Sequence, residues 1–433
     1  MHGYHDPVLA RFDLRGVDGD LATILARPVD ADDEATPSAR RIIAEVRAGG
    51  DAALRTLTER FDGCRLDDLF VAASDVAGAL DKVEPSVRVA LEFARDQILA
   101  YHESQRGAPA LHERSGVRIR ELLVPVERAG LYVPGGRAAY PSTVLMTAIP
   151  ALVAGVGEVA LCVPPGPDGS VPVPTLAAAA LVGVGEVYRV GGAQAIAALA
   201  YGTETIRPVD VIAGPGNAYV TAAKREVSGV VGIDALAGPS EVVVVADEAS
   251  RAEFVAIDLL AQAEHGPGGA AVVVSWSEAL LDAVDEELGR MVTGAPRRAD
   301  IEATLTQGGR SVLVNSPIEA IEVANAIAPE HLELLVAGAE DLVPFVRNAG
   351  AVFCGPWAPA AVGDYVAGVN HVLPTARTAR FASALRVDDF VKHIHVVSLD
   401  EEDLRRVSPH VAVLAEAEGL DAHRQSVTLR GEG

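Results

Sequence analysis

"ALVAGVGEVALCVPPG" (residues 151–166) has an echo in "ALVGVGEVYRVGG" (180–192), with the shared G-V-G-E-V elements beginning at 155 and 183, 28 residues apart. That interval holds about one helix and one strand, so it predicts successive β-α units of a parallel sheet. Small turn residues close strand-like runs five times in this region: "YVPGG" (132–136), "VPPG" (163–166), "VGGAQ" (190–194), "AGPGN" (213–217) and "LAGPS" (236–240). Ligands of such sheets bind beyond the carboxyl ends of the strands, where loops without bulky side chains admit them close to backbone amides. A dinucleotide fingerprint is missing, since "GPGNAY" and "GVGEVY" both fail at the last position of G-x-G-x-x-G. Nucleotide binding is therefore expected from architecture and not from a motif.

Outward from this core the pattern repeats. "EVVVVAD" (241–247), "AAVVVSW" (270–276), "RSVLVNS" (310–316), "HLELLVA" (331–337) and "GAVFCGP" (350–356) read as strands separated by helix-like segments. Residues 30 to 105 carry apolar residues at helical spacing, and 117 to 133 alternate like a hairpin. The fold class predicted is α/β, with two Rossmann-like parallel-sheet domains, a helical N-terminal segment and a small C-terminal arm. The expected division is an N-terminal arm (1–28), a larger α/β domain (29–131 with 240–385), a second α/β domain (132–239) and a C-terminal arm (386–433). The tail, one strand and two short helical stretches, is too small for a core of its own and must pack on its own domain or on a neighbouring subunit.

Composition narrows the function. Among 433 residues 49% are apolar and 4% aromatic, as in proteins with buried parallel strands. A net charge of −24 argues against general affinity for nucleic acid or anionic membrane. No apolar run reaches membrane-spanning length and "MHGYHDPVLARFDLRG" lacks a signal-peptide core, so a cytoplasmic chain is expected. Cys64, Cys162 and Cys354 are far apart, and the strand contexts of Cys162 and Cys354 predict buried, unreactive thiols.

The polar signal is spread out. In "NAIAPEHLELLV" (325–336) a carboxylate and an imidazole, Glu330 and His331, stand side by side where Pro329 should break a helix at Ala328. His265 ends a helix-like run with Gln262 on the same face, His371 follows Asp364 in a Gly-rich loop, and His423 lies just past Glu418 in the tail. Asp, His and an amide oxygen suit a borderline divalent ion such as zinc. No two of these histidines share a short metal-site spacing, and each also reads as a hydrogen-bonded loop histidine. His393 and His395, at i and i+2 of a strand without a nearby carboxylate, look like a metal pair but read as a solvated strand face.

Eight blocks in order carry a further signal: "GLYVPGGRAAYPSTVLM", "VGGAQAIAALAYGT", "DVIAGPGNAYVTAAK", "LAGPSE", "QAEHGP", "PEHLEL", "GDYVAGVNHVLPT" and "EGLDAHRQSVTLR". Together they resemble the histidinol dehydrogenase family over nearly the whole chain. The resemblance implies the zinc- and NAD-dependent, four-electron oxidation of L-histidinol to L-histidine through L-histidinal, with one zinc ion per subunit. It implies Glu330 and His331 as the proton-transfer pair and Gln262, His265, Asp364 and His423 as zinc ligands. It places Tyr132, Gln194 and Asn217 against NAD and Ser240, Glu418 and the ligand set, with His331, against the substrate, His371 being a further candidate. It also implies a homodimer in which the C-terminal arm brings Glu418 and His423 to the partner's site. The alternatives are a zinc- and NAD-dependent dehydrogenase of another small polar alcohol, or a zinc hydrolase using Glu330.

Overall fold

The computed structural model describes residues 8–17, 19, 21–24, 32–135, 138–236 and 238–431; Gly136 and Ala237 of the predicted turns, and residues 1–7, 18, 20 and 25–28 of the predicted N-terminal arm, lie outside these. In chain order the strands are β1 (Ala10–Asp13), β2 (Leu111–Arg114), β3 (Val117–Pro125), β4 (Arg128–Tyr132), β5 (Glu158–Cys162), β6 (Glu186–Tyr188) and β7 (Val211–Ala213). They continue with β8 (Gly232–Ile233), β9 (Glu241–Ala246), β10 (Ala270–Ser275), β11 (Gly309–Leu313), β12 (His331–Leu335), β13 (Ala351–Cys354) and β14 (Val391–Ser398).

They form three sheets. One has five parallel strands in the order β6-β5-β4-β7-β8, and the echoed segments supply β5 and β6 side by side. A second has six parallel strands in the order β1-β11-β10-β9-β12-β13. Every residue of β9, β10 and β12 is buried. Strands covered on both faces run apolar without alternation, as the valine runs of β9 and β10 do, whereas β12 carries His331 and Glu333 inside the sheet. A third, antiparallel sheet (β14-β3-β2) joins the predicted hairpin to the tail strand.

The fold class is as expected; two details differ. Residues 10–13, expected in an N-terminal arm, pair with β11 as an edge strand. The helices of residues 32–103 were expected to share a domain with 240–385, but they pack on the five-stranded sheet. Leu54, Leu57 and Leu69 share a core with Ile196 and Val220, while Leu91 and Ile98 share one with Leu145 and Leu161. An amphipathic helix shows that it has a buried face and not which sheet covers it. Cys162 is buried as expected, and Cys64 is buried too, whereas Cys354, also expected to be buried, is partly exposed because β13 is an edge. Among the described residues no helix is long and apolar enough to cross a membrane.

Candidate active site

The junction at 325–336 folds as its sequence requires. The helix Pro317–Ile327 ends at Ala328, which leaves it with φ of +51°, and Pro329 then starts the path into β12. Glu330 and His331 are thereby delivered at the amino end of β12, between β9 and β13. This is the opposite edge from the one expected for a parallel α/β sheet. The five-stranded sheet follows the usual rule, with the helices Pro141–Ala154, Val173–Leu181, Gly192–Tyr201 and Ala218–Val227 all starting beyond the carboxyl ends of its strands.

Glu330 is buried and anchored: Oε2 accepts hydrogen bonds from the Ser240 hydroxyl and from Glu241 N at 2.9 Å. His331 is also buried, and its Nδ1 lies 3.2 Å from the Glu241 carbonyl and 3.6 Å from Glu330 Oε2. A carbonyl can only accept, so Nδ1 carries a hydrogen and Nε2 is the exchangeable position. Nε2 faces Asp364 Oδ1 at 3.3 Å. Burial disfavours the charged ring, but the Glu330 and Asp364 carboxylates outweigh it and hold the imidazole up at about 9. Asp364 responds in the opposite sense: burial would raise it, yet the hydrogen bond and charge of His331, with help from His371 and His265, bring it below the usual carboxylate range.

Asp364 sits on a short helix, Ala360–Tyr365, and not in a loop as its Gly-rich surroundings suggested. Gly363 makes that possible, because a Cβ there would come 2.5 Å from the Phe353 ring, whose centroid lies 6.0 Å from that of His331. His371 Nδ1 is 2.9 Å from the Asp364 carbonyl, and its Nε2 is 3.1 Å from the hydroxyl of Thr143, on the helix Pro141–Ala154. Burial keeps His371 below the usual histidine range. This bond ties the cluster to the five-stranded unit, so the site lies where the amino edge of one sheet meets the carboxyl edge of the other.

Gln262 and His265 come from the end of the helix Ala252–Ala263. Gln262 is buried with Nε2 unbonded, and His265 is close enough to Asp364 for its charge to act there. Among the described residues no group of three or more His, Cys, Asp or Glu side chains is placed to hold a metal. Of the expected ligands, Gln262, His265 and Asp364 would offer one amide, one imidazole and one carboxylate. Glu418 and His423, on or beside the exposed tail helices Glu401–Ala417 and Asp421–Gly431, are not joined to it by any hydrogen bond or ion pair among the described residues.

On the other wall, Tyr132 is buried, its hydroxyl accepts from Gly192 N at 3.1 Å, and burial pushes its ionisation well up. Gln194 is buried with Oε1 unbonded. Asn217 is exposed and caps the helix Ala218–Val227, accepting from the amides of Tyr219 and Val220 at 3.1 Å, so only its amide nitrogen is left for a ligand. Gly214 holds φ of +121°, and a Cβ there would meet the Tyr132 carbonyl at 2.0 Å. A cleft of about 310 Å³ opens beside these turns, lined by Pro134, Gly135, Pro164, Gly166 and Asp62. His393 and His395 lie on an exposed strand face, as expected, although a carboxylate is near after all: Glu121 Oε1 is 2.8 Å from His393 Nδ1 across the strand.

A buried carboxylate–imidazole pair set where the edges of two parallel sheets meet is the arrangement of a two-unit α/β enzyme. A family model described as histidinol dehydrogenase matches residues 25–431. The histidinol dehydrogenase of Rhizobium meliloti (strain 1021) is 47% identical over 414 residues, 95% of each chain. That of Mesorhizobium japonicum is 48% identical over 424 residues, 96% of this chain and 98% of the relative. The crystal structure of histidinol dehydrogenase from Elizabethkingia anophelis superposes with a TM-score of 0.94 at 34% identity, covering 99% of both chains. The chain belongs to the histidinol dehydrogenase family, oxidoreductases that oxidise histidinol in histidine biosynthesis.

Proposed function

We propose that the chain oxidises L-histidinol to L-histidine through L-histidinal in two hydride transfers to NAD, with zinc holding the substrate. The observation that carries this is the pairing of opposite sheet edges. Helix amino ends, which suit the phosphates of a dinucleotide, line the five-stranded wall. The carboxyl end of the helix Ala252–Ala263, which suits a cation, carries Gln262 and His265 on the facing wall.

The donor set fits zinc. Gln262 is a buried amide with an unbonded end, and carboxamide oxygen and nitrogen are interchangeable by a flip. Asp364 is held anionic, and His265 supplies a neutral imidazole when deprotonated. Gln262, His265 and Asp364 would hold the ion with His423 from a partner subunit, whose tail also brings Glu418 to the substrate. The ion when bound orients the substrate's nitrogens and polarises its hydroxyl. His331 Nε2 takes the alcohol proton as the hydride leaves. Any sharing of the Asp364 carboxylate weakens its hold on His331 and moves the imidazole toward the range where it acts as a base. Glu330, with Oε2 fixed by Ser240 and Glu241 N, activates water for hydration of the aldehyde, and His331 acts again in the second transfer. Tyr132, Gln194 and Asn217 contact NAD. A homodimer working in the cytoplasm completes the proposal.

The test is stoichiometry: histidinol supplied with excess NAD, histidine and NADH measured. Two NADH per histidine are expected. One NADH with the aldehyde as product favours the dehydrogenase of another alcohol, and no NADH favours a hydrolase.

A further inference from the structure

One buried polar contact beneath the cluster takes no part in the reaction. Glu333 lies two residues along β12 from His331, on the same face, and is fully buried. Its Oε1 accepts a hydrogen bond from Ala360 N at 2.6 Å. Its Oε2 meets no N–H or hydroxyl donor, and the side chain's other hydrogen bond is with the carboxyl of Asp258. Burial, and for Glu333 the neighbouring charge as well, raises both carboxyls above the usual carboxylate range.

Three elements meet at this point, and each carries a site residue one structural repeat further on. Asp258 is four residues before Gln262 on the helix Ala252–Ala263, and Ala360 is four before Asp364 on the helix Ala360–Tyr365. Four helical residues rise about 6 Å. Two strand residues, from Glu333 back to His331, rise about 6.6 Å. Elements fixed at one level therefore present Gln262, Asp364 and His331 together at the next. Among the described residues, no single residue of the cluster itself touches all three elements through a bond of this kind.

We propose that Glu333 and Asp258 are positioning residues that set the metal-ligating helices in register with the catalytic strand, and so fix the spacing at which Gln262 and Asp364 take a divalent cation beside His331. The inference rests on the zinc reading above. A buried charge kept only for stability gains nothing from touching these elements in particular, since well-packed apolar residues serve as well or better.

The test is a zinc titration by chelator competition on the metal-stripped full chain, together with melting temperature and the KM values for histidinol and NAD. Outer-shell partners typically contribute 10–100-fold in metal affinity, so Glu333→Ala should weaken zinc by about that factor. The same variant should raise KM for histidinol and leave KM for NAD unchanged. Glu333→Gln offers a carbonyl to Ala360 N and an amide hydrogen to the Asp258 carboxylate, and should bind zinc nearly as tightly as the parent. If Glu333→Ala does not fold, Asp258→Ala, which keeps the Ala360 contact, carries the same expectation. Parent-like zinc affinity in the folded alanine variants overturns the positioning role, as does a Glu333→Gln protein as weak as Glu333→Ala. A parent chain that takes up no zinc overturns the metal reading, and the positioning role with it, before any variant is compared.

Discussion

Replacing Lys224 by Met should damage both stability and cofactor affinity. Lys224 is buried on the helix Ala218–Val227 and donates from Nζ to the Gly214 carbonyl at 2.6 Å and to Asp234 Oδ1. Asp234 in turn accepts from Gly214 N at 2.7 Å through its other oxygen. Both side chains are 2% exposed, so water screens neither. Removing the cation leaves the Asp234 carboxylate buried and unpaired, which costs about 3–5 kcal/mol. Against a total of about 5–15 kcal/mol that is a large share of the stability. Gly214 is the turn residue whose strained backbone approaches Tyr132, so the loop that both partners grip should loosen and KM for NAD should rise. Urea unfolding of Lys224→Met, Asp234→Asn and the double variant measures the first effect, and initial rates against NAD measure the second. The double variant removes both charges and should cost clearly less than the two single losses added, by a coupling of about 0.5–3 kcal/mol. Strictly additive losses, or a Lys224→Met protein within about 0.5 kcal/mol of the parent, refute the reasoning.

Glu330→Gln keeps the shape of the side chain without its basicity, so rapid mixing with histidinol should show one fast NADH per site and a second slowed about 10²- to 10⁴-fold; two NADH at parental rates would leave Glu330 a structural anchor only. Burial lifts Asp62, at the end of the helix Asp32–Asp62, to about 6 from 3.8. A folded-state value above the unfolded one makes this carboxyl cost stability as pH rises from 3.8 to 6. Partial exposure trims the full linkage to about 1 kcal/mol, so Asp62→Asn should be more stable than the parent by that amount at pH 7 and equal to it near pH 3.5 in urea titrations. Mixing an inactive Glu330→Ala, His331→Ala double variant with an inactive His423→Ala variant should restore activity as hybrid dimers form, and no recovery after proven subunit exchange would return the tail to its own chain.

What the sequence made legible follows from burial. Between the polar ends Glu241 and Ser275, runs such as "EVVVVA" and "AAVVVS" are apolar without alternation because both faces of β9 and β10 are covered, and Pro329 located the break at Ala328 to the residue. The edge of the sheet on which Glu330 and His331 emerge was not legible, since strand order and direction are properties of long-range pairing. The helices of residues 32–103 went to the wrong sheet for the same reason. Gln262 stood out only as sharing a helix face with His265, and its assignment as a ligand comes from the family resemblance, because an amide carries no spacing signature. Glu333 was overlooked, although a carboxylate inside "HLELL" with apolar strand residues on both sides was a signal: such a strand is buried on both faces, and a buried carboxylate needs partners.

The meeting of opposite sheet edges has a consequence for how such an enzyme can change. The wall that suits phosphates draws its turns from residues 132–217, while the acid–base and cation-type residues of the chain come from 240–371. Bonds that join the two include Thr143 to His371 and Asn370 Nδ2 to the Met146 carbonyl at 2.6 Å. Under the proposed function, with NAD on the five-stranded wall, substitutions that alter what is oxidised would accumulate on one wall without disturbing what receives the electrons on the other. The architecture would then be modular at the level of the half-reaction, and an engineer seeking a new alcohol substrate would vary the six-stranded wall and leave the five-stranded one untouched.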